Sequence, residues 1–466
     1  MNSAATQEYA IIGGGSVGPI AVIYLAEEFK KRSLSVDEGS VTIHAVDPAG
    51  FCNGGLAYKS QPEEHMLNSV YGEMSPWTPD AFFNHAKDKD ADIHPLEFAS
   101  RALYLDFLSA SYEDAVETLS HAGVKVEEHH VSAIIKAGDH AGSIRLVDQN
   151  RHGDVVTLLS DQVLLSVGYG KNENFKEMQS YIGRGYVHDI YDVNQIEAEP
   201  ALHTENPRIL FIGNGPALYD FTNAYTGDPS KTQLHVLAPG GEVLGVRDTS
   251  IEEGELPIRT DLIDALSDDT TLEVLNSTIA AQFEKAARGG ATSRRSAFDI
   301  ITAMKPVLTR IPQEVATEFT TSGEYRRLVH TATPIPEESH ARLNAFNPHI
   351  IAGRFEQENV TRQEDGTFLV KTGGETVEVD AIINGTGHGR INHPVIRELL
   401  AEGGVQIDRR FGTLATHEDG YTLRGSGIAC IGPATHWGID GIESFARSIE
   451  PLAEKWADQI ENQLSI

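Results

Sequence analysis

Tyr9-Ala-Ile-Ile-Gly13-Gly-Gly15-Ser16-Val-Gly18 decides how this chain folds. Four apolar residues form a short strand, the glycines form a turn, and from about residue 16 to residue 31 the apolar positions recur at helical spacing. The turn matches G-x-G-x-x-G. Its first glycine makes the tight bend, the second lets backbone approach a pyrophosphate, and the third lets the helix pack closely on the strand. Residues 41–46, Val-Thr-Ile-His-Ala-Val, read as a second strand that closes on Asp47 and Pro48. A carboxylate at that strand tip is placed to bind a ribose hydroxyl. The spacing exceeds the usual ~20 residues, and the polar connector 33–40 accounts for the excess.

The same grammar restarts near residue 209. Ile209-Leu-Phe-Ile212 leads into Gly213-Asn-Gly215-Pro-Ala-Leu218, a helix to about residue 225 and a strand over 234–237. Leu218 stands where the third glycine would be, so this helix is expected to sit farther from its strand. The answering strand ends in Ala238-Pro-Gly240, with neither the acid that binds an NAD ribose nor an adjacent arginine for an NADP phosphate. Arg247 is the nearest basic candidate. It would sit partly exposed and favour NADPH modestly, so discrimination between the two cofactors is expected to be weak. Farther along, residues 286–296 read as an exposed basic loop, and residues 376–383 as one strand running into Asn384-Gly-Thr-Gly387-His388. A last strand over 427–431 enters Gly432-Pro433, and a terminal helix begins near 439 and bends around Pro451.

At 466 residues the chain exceeds one ordinary domain of about 100–200 residues. Charged residues are 23% and apolar ones 40%, which fits folded domains. Lys and Arg total 37 against 68 Asp and Glu, a net charge of −31, which repels phosphate backbones and anionic headgroups and excludes nucleic acid and membranes as expected partners. The two cysteines, Cys52 and Cys430, lie far apart without a C-x-x-C pair, so no disulfide framework or zinc knuckle is expected. The N-terminus lacks a basic n-region, and glycines break its first apolar stretch, so neither a signal peptide nor a membrane span is expected. A soluble, cytoplasmic protein acting on a small molecule is the expectation. No Ser-His-Asp, H-E-x-x-H or clustered metal spacing stands out; His129 and His130 are expected to be exposed, and no metal site is anticipated.

The order of these glycine turns resembles the flavoproteins with two dinucleotide-binding domains. More narrowly, it is similar to the bacterial FAD-NAD(P)-binding family related to N-hydroxylating monooxygenases. Asp47-Pro48, Gly54-Gly-Leu-Ala-Tyr58, Leu67-Asn68-Ser-Val70, Met74-Ser75, Val187-His-Asp-Ile-Tyr-Asp192 and Ala429-Cys-Ile-Gly432-Pro433 carry that likeness. It implies an α/β fold of two Rossmann-like domains, the nicotinamide-binding one inserted into the FAD-binding one. The expected divisions are 1–205, 206–375 with a helical segment, and 376–466.

By the same resemblance, Gly13, Gly15, Ser16, Gly18, Asp47 and Asn68 would hold FAD, and Gly213, Gly215 and Arg247 the NADH or NADPH. Gly168 and Gly387 would mark the turns where the chain crosses between domains. Gly432 would approach the flavin, although the residue after it, usually a ribityl-binding aspartate, is Pro433. The helix starting near 438–441 would point its positive end at the flavin ring. Disulfide reduction is excluded, since it needs a redox-active cysteine pair at the flavin. The signature F-x-G-x-x-x-H also fails, because Arg184 stands four residues before His188, which is left as a linker residue.

His388, Arg390, His393, His436, Trp437 and Asp440 gather polar and aromatic groups onto two glycine turns, and His436, Trp437 and His388 are the substrate-pocket candidates. The resemblance therefore implies an FAD- and NAD(P)H-dependent monooxygenase, with N-hydroxylation of an amine as first choice. A hydroxylase of a urate-like heteroaromatic is the enzymatic alternative. Leu218, Ala238 and Pro433 keep a non-catalytic flavin or nucleotide sensor open.

Overall fold

The computed structural model describes residues 6–59, 65–75, 77–90, 92–135, 143–147, 155–247, 257–436 and 442–464. The strands of its parallel sheets are, in chain order, β1 (Gln7–Ile12), β2 (Val41–Val46), β3 (Lys125–His129), β4 (Gln162–Leu165), β5 (Tyr186–Val187), β6 (Arg208–Ile212), β7 (Gln233–Ala238), β8 (His349–Ala352), β9 (Ala381–Asn384) and β10 (Ala429–Cys430). The helices that matter below are α1 (Val17–Arg32), α2 (Arg101–His121), α3 (Pro216–Ala224), α4 (Leu272–Arg288), α5 (Ser293–Arg310) and α6 (Ile442–Leu464).

One sheet has the order β10-β4-β1-β2-β3 and the other β5-β9-β6-β7-β8, and every neighbouring pair is parallel. In each, the strand order reverses beside the strand that enters a glycine turn, β1 in the first and β6 in the second. Ligands of open parallel sheets bind at the carboxyl ends of the strands at such a reversal. From Val17 to Ala26 every residue of helix α1 is buried, and its charged groups are confined to the C-terminal end. That pattern marks a helix covered on several sides, and α1 packs on both α2 and α6.

The chain forms two compact units: residues 1–60, 69–170 and 390–466, and residues 61–68 with 171–389. The insertion expected from the sequence is present, but its edges fall at 170/171 and 389/390 rather than at 205/206 and 375/376. The cause is strand pairing. β5 pairs with β9 through Tyr186↔Ile382 and Val187↔Ile383, and β9 pairs with β6, so both flanks belong to the inserted sheet.

The run 376–383 is two strands, not one. Glu375–Val379 joins an antiparallel sheet with Phe368–Thr372 and Val360–Arg362, while β9 enters the parallel sheet. Asp380 makes the break. Its carboxylate accepts from the Arg208 backbone N–H at 2.8 Å and from Nη2 at 2.7 Å, and its own N–H donates to Arg208 O at 2.8 Å. Burial alone would raise the Asp380 pKa, yet the Arg208 hydrogen bonds outweigh it and hold the carboxyl below its usual range. A depressed folded-state pKa gives stability that is present above the unfolded value and lost as pH falls through the folded one. Arg208→Ala should therefore lower the unfolding free energy by about 1–2 kcal/mol at pH 7. In urea titrations the difference should shrink below about pH 4.

The expected basic loop over 286–296 is mostly helix. α4 continues to Arg288 and α5 starts at Ser293, leaving a connection over 289–292, and Ser296 and Ala297 near the start of α5 are already buried. Leu218 lies fully buried in the core of the inserted unit with Phe211, Phe221 and Val236, so apolar packing fills the place of the third glycine. Among the described residues, no helix is long and apolar enough to cross a membrane.

Candidate functional site

The glycine turn after β1 separates two reasons for having glycine. Gly13 adopts φ 112, and a Cβ there would meet Ser166 O at 2.4 Å; a Cβ on Gly18 would meet Gly13 O at 2.2 Å. The protein itself forbids side chains at both. Gly15 differs: its φ lies outside the left-handed region, and a Cβ would come no closer than 3.4 Å, to Gly55 Cα. Nothing among the described residues requires glycine at that half-exposed position, and the open space has room for a group that approaches the backbone, as a pyrophosphate does. Ser16, at the N-cap of α1, makes no side-chain cap bond, and the first turn carries no acid. The unsatisfied N–H groups of that turn suit an anion.

Asp47 closes the other side. Its Oδ2 accepts from Gly14 N at 2.8 Å, and its Oδ1 from Ala49 N at 2.8 Å and Asn53 Nδ2 at 3.0 Å. A carboxylate offers about four acceptor sites, so room remains for a ribose hydroxyl. His393 lies within electrostatic reach of Asp47, and its buried Nδ1 has no hydrogen-bond partner among the described residues. Burial lowers the His393 pKa despite Asp47, favouring a neutral ring. An orphaned buried nitrogen in reach of that carboxylate again fits a polar ligand.

Asn53 and Ser166 were not among the residues singled out from the sequence. Asn53 Nδ2 braces Asp47, and its Oδ1 accepts from Gly55 N at 2.8 Å. Ser166 Oγ donates to Gly13 O at 2.8 Å, clasping the turn from the end of β4. Asn53 sits between two quoted motifs and was findable; Ser166 acts over 153 residues of chain and carries no local signal.

Gly168 (φ 69) and Gly432 (φ 133) both leave open space around the position of a Cβ. His436, half-buried, donates its backbone N–H to Gly432 O at 2.9 Å and stands edge-on to Phe445 with ring centroids 5.3 Å apart. Its carbonyl accepts from Arg390 Nη1 at 2.9 Å. Trp437, Asp440 and the helix start at 438–441 lie outside the described residues. Burial pushes the Cys52 thiol up to about 11 and the Cys430 thiol up to about 12.

The inserted unit repeats the construction. Gly213 has φ 115, its N–H donates to Leu237 O at 2.9 Å, and a Cβ would meet Gly385 O at 2.7 Å. A Cβ on Gly215 would meet nothing within 4 Å. α3 follows with no side-chain cap and no acid in its first turn. Gly387 (φ 81) is also surrounded by open space. His388 Nε2 lies 3.0 Å from Asp189 Oδ2; burial would raise the Asp189 pKa, and the histidine turns the net shift downward. His188, left as a linker residue, is buried, with its ring against Asn172 O, Gln179 Nε2 and Tyr186 OH at 3.0, 3.0 and 3.2 Å.

Arg247 is not the partly exposed arm expected. It is 5% exposed, its Nη1 donates to Asn68 O at 3.1 Å, and its N–H donates to Ile335 O at 2.8 Å. The isolated sequence could not show that Ile335 would pair beside it and draw it inward. Asn68, expected at FAD, meets Arg247 through its carbonyl within the inserted unit.

Residues 10–170 match the FAD-NAD(P)-binding family. No curated protein matches the sequence. Among solved structures, the chain is similar to ornithine hydroxylase (PvdA) from Pseudomonas aeruginosa, with 14% identity, 99% of this chain and 100% of that chain covered, and a TM-score of 0.53. It is also similar to DfoA bound to FAD, a cadaverine monooxygenase from Erwinia amylovora, with 13% identity, 97% and 94% covered, and a TM-score of 0.54. A thioredoxin reductase from T. acidophilum follows with 13% identity, 97% and 99% covered, and a TM-score of 0.48. At these identities the likeness to the solved structures is one of fold, that of two dinucleotide-binding domains.

Proposed function

We propose that this FAD- and NAD(P)-binding oxidoreductase is a monooxygenase that N-hydroxylates a small amine. The observation that carries the reading is the open space over the two glycine turns, at Gly15 and Gly215, in a chain whose two cysteines are both free, with thiols raised by burial. Thiol relay needs a thiolate, and at neutral pH these groups stay protonated. FAD, where bound, would supply the two-electron redox chemistry that links a nicotinamide to dioxygen.

The chain's own residues bind and orient. The N-terminus of α1 and the open face of Gly15 receive the pyrophosphate, Asp47 braced by Asn53 receives the ribose, and the Gly213–Gly215 turn with α3 receives the nicotinamide dinucleotide. His388, held at Nε2 by Asp189, is positioned to keep or pass a proton at its remaining nitrogen. An amine substrate is supported by the two structurally similar proteins, an ornithine hydroxylase and a cadaverine monooxygenase.

The test is steady-state NAD(P)H oxidation by FAD-loaded protein across primary amines and purines, with product mass measured. An amine product heavier by one oxygen is expected. Oxygenation confined to purines would replace amine with heteroaromatic, and cofactor oxidation without any oxygenated product would remove the monooxygenase reading. Cys52→Ala, or alkylation at pH 8, should leave the rate within about twofold, because a thiol with a pKa of about 11 is roughly 0.1% ionised there. A loss beyond tenfold would put a thiol back into the electron path.

A further inference from the structure

His129 was expected at the surface, and the structure instead seats it, with its side chain 24% exposed, at the end of β3 beside His44 of β2. Parallel register explains the meeting. His44 lies directly opposite Glu127, and Val46 opposite His129, so residues 44, 127 and 129 project from one face of the sheet. His44 is almost fully buried there. Three donor atoms converge: His44 Nδ1 lies 2.9 Å from His129 Nε2 and 3.5 Å from Glu127 Oε2, and His129 Nε2 lies 3.9 Å from Glu127 Oε2.

We propose that His44, Glu127 and His129 form a binding site for a divalent transition cation of the Zn²⁺ class, with Glu8 and Lys125 as its supporting shell. Metal–ligand bonds of about 2.0–2.1 Å at tetrahedral angles place neighbouring donors about 3.3 Å apart, and the three observed separations bracket that value. Two imidazoles and one carboxylate select borderline transition metals over Mg²⁺ or Ca²⁺, which take oxygen ligands. The surrounding groups are arranged as they are around ligating histidines. Glu8 Oε2 lies 2.6 Å from His44 Nε2, fixing the tautomer in which Nδ1 keeps its lone pair. Lys125 Nζ holds the other Glu127 oxygen, leaving Oε2 facing the histidines.

A cation here would join β3, the edge strand of the first sheet, to β2. Its influence would reach the cofactor side by one step, since Asp47 N donates to His129 O at 3.1 Å. The competing account is a plain hydrogen-bonded chain in which His129 donates to His44 and His44 to Glu8, with no ion.

The full-length, FAD-loaded protein, freed of any affinity tag, is dialysed against Zn²⁺ and then metal-free buffer; retained metal is counted by elemental analysis, and affinity is measured by calorimetric titration. About one Zn²⁺ per chain is expected. His129→Gln, at a half-exposed position that should fold, should weaken binding at least about tenfold. Glu8→Gln, which does not touch the ion, should weaken it by about ten- to a hundredfold. His130→Gln, an exposed neighbour, should change nothing. Wild-type protein that retains no Zn²⁺, or that binds it no better than His129→Gln with both folded by circular dichroism, would overturn the site in favour of the hydrogen-bonded chain.

Discussion

Gly15→Leu should yield a folded, colourless protein. The side chain has room in the polypeptide, since the nearest protein atom to its Cβ would be Gly55 Cα at 3.4 Å and the backbone there suits any L-residue. What it would occupy is the space above the first turn of α1, through which a pyrophosphate must reach the N–H groups. Each charge-assisted hydrogen bond lost costs about 1.5–3 kcal/mol. Losing one or two weakens FAD binding by about tenfold to about twenty-thousandfold. Gly13→Ala provides the contrast: it puts a Cβ 2.4 Å from Ser166 O on a backbone at φ 112, so it should fail to fold or unfold early. Flavin absorbance after gel filtration, with circular dichroism, separates the outcomes. Full FAD occupancy in Gly15→Leu would show that this space is not the pyrophosphate site.

Gly215→Leu should keep its flavin and lose most of its response to NAD(P)H. No atom lies within 4 Å of the position its Cβ would take, so the inserted unit should fold as before. The leucine would stand over the start of α3, where no side-chain cap or acid competes for an incoming phosphate. Anaerobic bleaching of bound flavin, followed by stopped flow, should slow at least about tenfold at subsaturating NADPH, and raising the cofactor concentration should recover part of the rate. Equal bleaching in variant and wild type would assign Gly213 and Gly215 to packing alone.

What could be read from the sequence was what neighbours in the chain determine. The apolar run of β1, the glycine turn and the helical period of α1 all lie within about 25 residues, and each follows from local sterics and burial. The same holds for β6, its turn and α3. The failures share a different origin. Residues 376–383 look like one strand because every residue suits a sheet, and only the pairing of Asp380 with Arg208, 172 residues earlier, divides them. Arg247 reads as a free cation until Ile335 fixes its backbone and Asn68 receives its guanidinium. The meeting of His44 with Glu127 and His129 depends on the register of two strands about 80 residues apart, and no periodicity within either strand reports it.

The insertion also sets an order of events during synthesis. At about 5–20 residues per second, the 219 residues from 171 to 389 occupy the ribosome for roughly 10–45 s between β4 and the first residue of the returning segment. Throughout that interval the first sheet lacks β10, and α1 lacks α6, whose Trp456 ring stands 5.1 Å from that of Tyr9 and whose Asp458 and Glu461 pair with Arg32. The nascent amino-terminal third therefore presents one flank of α1 to water while the inserted unit, whose parallel strands β5 to β9 follow one another in the chain, is free to close on itself. Chains arrested before residue 442 should be held by trigger-factor-like chaperones and cut readily within residues 7–32, and that susceptibility should vanish once α6 has emerged.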